Sequence, residues 1–160
     1  MTEIAVGNVV PEFELPSTHN TLFKLSDYRS QPVIVYFYPR DNTPGCTQEG
    51  QDFRDHFDQF KALNAVIVGI SRDSVRIHEG FKAKHGFPFE LLSDSDEQVC
   101  NLFEVMKQKN MYGKQVRGIE RSTFLINGEG VLIAQWRKVK VAGHCEAVLQ
   151  TLHSCEGSCE

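Results

Sequence analysis

Cys46 is the residue in this sequence whose surroundings are arranged for chemistry. It stands in Tyr38-Pro39-Arg40-Asp41-Asn42-Thr43-Pro44-Gly45-Cys46-Thr47, between an apolar strand-like run, Val33 to Phe37, and a helix-like run that starts near Cys46 itself. A cysteine in the first turn of a helix lies among backbone N–H groups with no intrahelical partner, at the positive end of the dipole. That placement favours thiolate over thiol, and the thiolate is the nucleophile. A helix N-terminus contributes only ~0.3–1 kcal/mol, or ~2 when partly buried, so a cation is needed as well. Arg121 is the candidate, because it opens the strand-like segment Arg121-Ser122-Thr123-Phe124-Leu125-Ile126, which should converge on the same helix. Glu49, one turn after Cys46, could hold Arg121 in a bidentate pair and fix its fork. Thr43 brings a hydroxyl that can donate to one oxygen or sulfur and accept from another. Pro39 and Pro44 stiffen the loop and remove two N–H groups. Gly45 permits close backbone approach. Together these residues form a narrow pocket whose donors point at a small acceptor.

The elements that must position them alternate along the chain. Residues 1–15 read as an extended lead-in, with prolines at 11 and 16, and Leu25 to Tyr28 as a short turn or helix. Val33-Ile34-Val35-Tyr36-Phe37 and Val66-Ile67-Val68-Gly69-Ile70 are near-continuous β-branched runs, the mark of strands buried on both faces. Between them Phe53, Phe57 and Phe60 form one apolar helical stripe. Ser74 to Lys84 is a second helix, capped by Asp73 or Ser74. Phe89 to Leu92 is a short strand, and Ser95 with Gln98 fits a capping box for another short helix. Arg121 to Ile126, the turn Asn127-Gly128-Glu129-Gly130 and Val131 to Trp136 make a hairpin. Gly143 to Leu152 closes the chain as a helix, with Ala147, Val148 and Leu152 inward. Strand–helix–strand–helix followed by a hairpin and a helix predicts an α/β protein of thioredoxin-like plan, a mixed central sheet with helices on both faces. One domain is expected over residues 1–153, with a flexible tail over 154–160.

The 160 residues suffice for one domain with its own core. A net charge of −4, with Arg137-Lys138-Val139-Lys140 as the densest basic stretch, argues against a nucleic-acid partner. That stretch alternates and reads as the solvated end of a strand. No apolar run approaches the ~18 residues of a membrane span. The start, Met1-Thr2-Glu3-Ile4, lacks a leader pattern, so a cytoplasmic protein is expected. Five cysteines, Cys46, Cys100, Cys145, Cys155 and Cys159, cannot all pair within one chain, and in a reducing compartment free thiols with at most one functional disulfide are the expectation.

The arrangement Pro39-x-x-x-Thr43-x-x-Cys46, with a distant Arg121, resembles the peroxiredoxin active-site motif. The longer string Tyr36-Phe37-Tyr38-Pro39 and Asp41-Asn42-Thr43-Pro44-Gly45-Cys46-Thr47 is similar to the Q-type subfamily, the bacterioferritin-comigratory proteins. Asn110-Met111-Tyr112-Gly113-Lys114 and Arg121-Ser122-Thr123-Phe124 also look like that subfamily, and the likeness runs over residues 3 to 152. The resemblance implies a thiol peroxidase that reduces hydrogen peroxide and alkyl hydroperoxides through a sulfenic acid at Cys46. Thr43, Arg121 and the Cys46 N–H would stabilise charge on the leaving oxygen, and Pro39 would shield the sulfenic acid. It further implies no metal, haem or flavin cofactor, a thioredoxin or glutaredoxin reductant, and a monomer.

The pattern breaks at the second cysteine. Many Q-type members carry one five residues after the first, where this chain has Gln51, and others carry it in the next helix, where Ser74 to Lys84 has none. Cys100 is a candidate resolving residue, though a small buried core role suits it better. Cys145, whose thiol the adjacent His144 could acidify, and Cys155 or Cys159 in the tail are the others, and an external thiol is equally open. Gly50 either eases unwinding of the Cys46 helix or permits tight packing. A thiol–disulfide oxidoreductase is an alternative, but Cys46-Thr47-Gln48-Glu49 lacks its second cysteine. A metal-binding module, using His144-Cys145 and His153-x-Cys155-x-x-x-Cys159, is another, and non-catalytic binding a third. His78 and His85 read as solvated helix positions, Trp136 as strand packing, and Tyr38 as either pocket mouth or core.

Overall fold

The computed structural model of the chain describes residues 4–158. In chain order its elements are β1 (Glu14–Ser17), β2 (Thr21–Lys24), a 3-10 turn (Leu25–Tyr28), β3 (Val33–Phe37), α1 (Pro44–Asp55), α2 (Phe57–Ala62), β4 (Val66–Ser71), α3 (Val75–His85), β5 (Glu90–Ser93), α4 (Gln98–Leu102), β6 (Met106–Met111), β7 (Lys114–Ile119), β8 (Ser122–Ile126), β9 (Leu132–Trp136) and α5 (His144–Ser158). Seven strands form one sheet in the order β2-β1-β5-β4-β3-β8-β9. β3 runs parallel to β4 and antiparallel to β8, so the sheet is mixed, as expected.

β3 is buried along its whole length because each of its faces meets a separate core. Val33, Val35 and Phe37 join Val68, Ile70, Phe103 and Phe124 on one face, with Val99 and Cys100 of α4. Ile34, Tyr36 and Tyr38 join Ile67 and Leu125 on the other face, under Phe53 of α1, Phe60 of α2, Phe81 of α3 and Val148 and Leu152 of α5. Gly69 in β4 makes room for the Tyr36 ring, since a Cβ there would lie 2.8 Å from its Cζ.

Several local expectations need correction. The phenylalanine stripe does not lie on one helix. α1 ends at Asp55, and His56 separates it from α2, its ring Nδ1 lying 2.9 Å from the Asp52 carbonyl that its own N–H also uses. Phe53 and Phe60 are fully buried, whereas Phe57 is half-buried. Ser74 caps α3 by accepting from the Ile77 N–H at 3.2 Å, as expected. Ser95 does not cap α4. The Asp94 carboxylate does so, accepting from the N–H groups of Val99 at 3.2 Å and Cys100 at 2.7 Å. The stretch 137–140 does follow the end of β9, with Lys138 and Lys140 exposed, but Arg137 is half-buried. It lies 5.1 Å from the Phe124 ring centroid and donates to the Phe103 and Glu104 carbonyls. In α5, Val148 and Leu152 face inward but Ala147 is exposed. Residues 154–158, expected as a tail, continue that helix. β6 and β7 pair only with each other, as a separate hairpin. Among the described residues no helix is long and apolar enough to cross a membrane.

Candidate active site

β3 delivers the chain to Tyr38, whose N–H donates to the Ile70 carbonyl at 3.1 Å. The loop from Pro39 follows, and Thr43 becomes the N-cap of α1 with extended backbone angles. Pro44 takes the first helical position, where a missing N–H and a fixed φ suit the helix. Cys46 is therefore the third residue of α1, ahead of the first backbone bond into the cap, which Thr47 makes to the Thr43 carbonyl at 2.9 Å. The pairing Phe37↔Ser122 brings Arg121, just before β8, alongside this turn.

Arg121 there bridges two groups. Its Nη1 donates to Glu49 Oε1 at 2.6 Å, and its Nη2 lies 3.5 Å from Cys46 Sγ. The pair with Glu49 is not bidentate: one fork arm is given to sulfur, and Glu49 Oε2 is buried without a hydrogen-bond partner. Burial pushes Glu49 up to about 7 against the pull of Arg121. Burial pulls Arg121 down, but Glu49 and then Cys46 outweigh it and hold the guanidinium above its ordinary value. Gly45 matters for the same contact. A Cβ there would sit 3.1 Å from Arg121 Nη2, so a side chain at this position would press on the fork.

Of the expected site residues, Cys46, Glu49 and Arg121 meet directly, and Thr43 caps the helix that carries two of them. The Thr43 hydroxyl donates to the Arg40 carbonyl at 2.8 Å, which closes the loop and leaves its oxygen free to accept. Pro39 heads the loop and is half-buried. Cys46 itself is 2% exposed.

The other cysteines lie apart from this arrangement. Cys100 is wholly buried in the core on the opposite face of the sheet from Cys46. Burial and Asp94 raise its thiol far above the ordinary range. Cys145 shares the Cys46 face, but its thiol donates to the Asp52 carbonyl at 3.4 Å, and burial pushes it up to about 12. That is opposite to the acidifying effect expected from His144. Cys155 is half-buried on α5, and Cys159 lies outside the described residues.

Three further residues bear on this region: Lys109, which sequence reasoning passed over, and His144 and His78, which it placed in other roles. His144 is buried, its Nε2 2.7 Å from Thr123 Oγ1 and its ring edge-on to Trp136 at 5.8 Å. Burial, then Arg121, lower it to about 4, so it is neutral at physiological pH. Lys109 on β6 donates to the Ile119 carbonyl, and burial followed by the nearby Arg121 charge lowers it. His78 is not solvated but fully buried, 2.6 Å from Asp41. Tyr38 is likewise core, its hydroxyl donating to Asp41 at 2.6 Å. Among the described residues, Asp41, Asp73 and His78 are the one trio of metal-ligand type. Each is already engaged in hydrogen bonds within the protein. His144 and Cys145 turn to different partners.

Comparison with known proteins bears on the family and the fold. A sequence model of the AhpC/TSA family matches residues 6–135. Peroxiredoxin Bcp of Bacillus subtilis is 50% identical over 149 residues, 93% of this chain and 95% of that one. A structure of the Xanthomonas campestris bacterioferritin comigratory protein, described for its alkyl peroxide reduction activity, superposes with a TM-score of 0.86 at 50% identity, covering 90% of this chain and 92% of that one. A cysteine-to-serine mutant of Xylella fastidiosa PrxQ superposes with a TM-score of 0.90 at 44% identity, covering 96% and 98%.

Proposed function

The chain belongs to the AhpC/TSA family as a peroxiredoxin of the Bcp kind, and on that premise we propose that Cys46 is its peroxide-attacking thiol, served by Arg121, Glu49, Thr43 and Pro39. The protein is a peroxidase, an antioxidant oxidoreductase that consumes peroxide at the expense of a thiol. The observation that carries the assignment of residues is the Arg121 fork, held by Glu49 at 2.6 Å with its second arm 3.5 Å from Cys46 Sγ.

The thiolate attacks the distal oxygen of R–O–O–H. The S–O bond forms as the O–O bond breaks, leaving Cys46 as S–O–H and the other oxygen as R–O⁻, which takes a proton from water. Charge moves from sulfur to that leaving oxygen. Arg121 and the Cys46 N–H are fixed beforehand and need no rearrangement to follow it. The Thr43 oxygen accepts from the peroxide O–H and so orients it. Pro39, without an N–H, walls the loop side.

The sulfenic acid is resolved by an external thiol, with release of water and formation of a mixed disulfide. A second thiol then frees Cys46. The seclusion of Cys100 across the sheet and the engagement of Cys145 support this one-cysteine cycle. Thioredoxin or a glutaredoxin-type protein in the cytoplasm supplies the thiols to a monomeric enzyme, and hydrogen peroxide and organic hydroperoxides are the substrates. Cys46→Ser is expected to abolish peroxide consumption. Intact-mass and peptide mapping after one equivalent of peroxide should show one added oxygen on Cys46. A Cys46–Cys100 disulfide would replace the external thiol by an internal one, and full turnover in Cys46→Ser would remove Cys46 from the mechanism.

A further inference from the structure

The loop between β3 and α1 is anchored by a buried polar cluster that takes no part in the peroxide chemistry. His78 Nδ1 lies 2.6 Å from Asp41 Oδ2, and its Nε2 lies 2.9 Å from the Leu92 carbonyl of β5. Neither side chain of the pair is exposed. The Tyr38 hydroxyl donates to the other Asp41 oxygen at 2.6 Å and lies 3.5 Å from His78 Nδ1. The Asp41 N–H donates to Asp73 Oδ2 at 2.9 Å, an oxygen that also accepts from the Ser71 hydroxyl at 2.6 Å. The Leu92 carbonyl only accepts, so His78 donates to it through Nε2, and Nδ1 shares a hydrogen bond with Asp41. Asp41 is thereby tied to the end of β3, to the turn after β4 and, through His78, to α3 and β5.

Four residues separate Asp41 from Cys46 in the sequence. They are Asn42, whose φ is +66°, the cap Thr43, then Pro44 and Gly45. With so short a tether, the place of Asp41 dictates how Pro39 and Thr43 face the sulfur. We propose that His78, acting through Asp41, is a positioning residue that fixes the Pro39–Thr43 wall of the peroxide pocket. The inference rests on the reading of Cys46 as the attacking thiol. Releasing Asp41 relaxes the wall, while Arg121 and Glu49, which do not contact the cluster, keep their hold on the sulfur. The expected signature is therefore selective. Reaction with peroxide, which needs the pocket, falls. Alkylation by a small reagent, which needs only an accessible thiolate, does not.

The test uses the full chain and two rates at one pH: oxidation of Cys46 by hydrogen peroxide, and its alkylation by iodoacetamide, both followed by peptide mass. A misplacement of about 1 Å costs up to ~100-fold in an oriented reaction. His78→Ala and Asp41→Ala should accordingly lower the peroxide-to-alkylation ratio by about tenfold or more. Asp41→Asn should bring the ratio back to within about threefold of the unsubstituted protein. Its amide can donate to His78 Nδ1 while accepting from Tyr38, so both contacts survive the loss of the carboxyl. A folded His78→Ala with an unchanged ratio, or with both rates lowered equally, overturns the proposal. If neither alanine variant folds, Tyr38→Phe decides. It removes only the hydroxyl, with its bond to Asp41 and its 3.5 Å approach to His78, and should lower the ratio by about threefold; an unchanged ratio there also overturns the proposal. Absence of Cys46 oxidation in the unsubstituted protein overturns instead the reading on which the proposal stands.

Discussion

One guanidinium reaches both a carboxyl and a sulfur at this site, and that division has a consequence for Glu49. Had both Glu49 oxygens been matched by Arg121, burial would have been well compensated. Instead Oε2 is left without a partner, and the carboxyl is pushed up to about 7. A carboxyl raised from 4.5 to about 7 on folding contributes stability that is fully present below pH 4.5. That stability is lost as pH rises through about 7. Glu49→Gln has no such proton to exchange. Between pH 5 and pH 8, urea unfolding should therefore show the unsubstituted protein losing more stability than the variant, by on the order of 1–3 kcal/mol, since each tenfold change in proton affinity is worth ~1.36 kcal/mol. Equal losses in the two proteins would mean that Glu49 is ionised throughout. The bidentate pair inferred from sequence was wrong because i, i+3 spacing shows that two side chains can share a target, not how a third divides itself between them.

At the scale of elements, α1 is held in place by what lies over it. A Cβ on Gly50 would sit 2.4 Å from the Phe87 ring, so that ring lies directly on the helix backbone. Arg54 adds a hydrogen bond to the His85 carbonyl at 2.9 Å. Of the two readings of Gly50, tight packing is the one the structure supports. Alanine is ordinarily better in a helix by ~1 kcal/mol. Here overpacking should outweigh it, and Gly50→Ala should lower stability by about 1–2 kcal/mol in urea unfolding. A stabilised variant would mean that Phe87 swings aside at no cost. Legibility differed between elements for physical reasons. β3, β4 and the start of α1 announce themselves through local pattern: β-branched runs and a Thr-Pro-Gly-Cys entry to a helix. The hairpin of β6 and β7 does not, because its pairing strands, rich in Lys and Gln, bury little and so carry no alternation. His78 was missed because its partner Asp41 is 37 residues away. A long-range pair leaves no trace in the spacing around either member.

At the scale of the molecule, the sheet keeps Cys100 apart from Cys46. The helices that carry them place Cys46 and Cys145 against one face and Cys100 against the other. Sequence reasoning could assign the mixed sheet, yet not the face on which a helical cysteine would land, since α4 crosses to the side opposite α1. The contact between Arg121 and Cys46 carries this separation over into thermodynamics. It is worth most while sulfur bears a charge, and a neutral sulfenic acid forfeits part of it without gaining a substitute. Turnover thus alternates the protein between a tighter and a looser folded form, and heat resistance becomes a gauge of oxidation state. The peroxide-treated protein should melt a few degrees lower than the reduced protein, a ~1 kcal/mol change being worth ~2–4 °C in a chain of this size, and added thiol should reverse the shift. Identical melting curves for the two states would show that the guanidinium holds the oxidised sulfur as well as the reduced one.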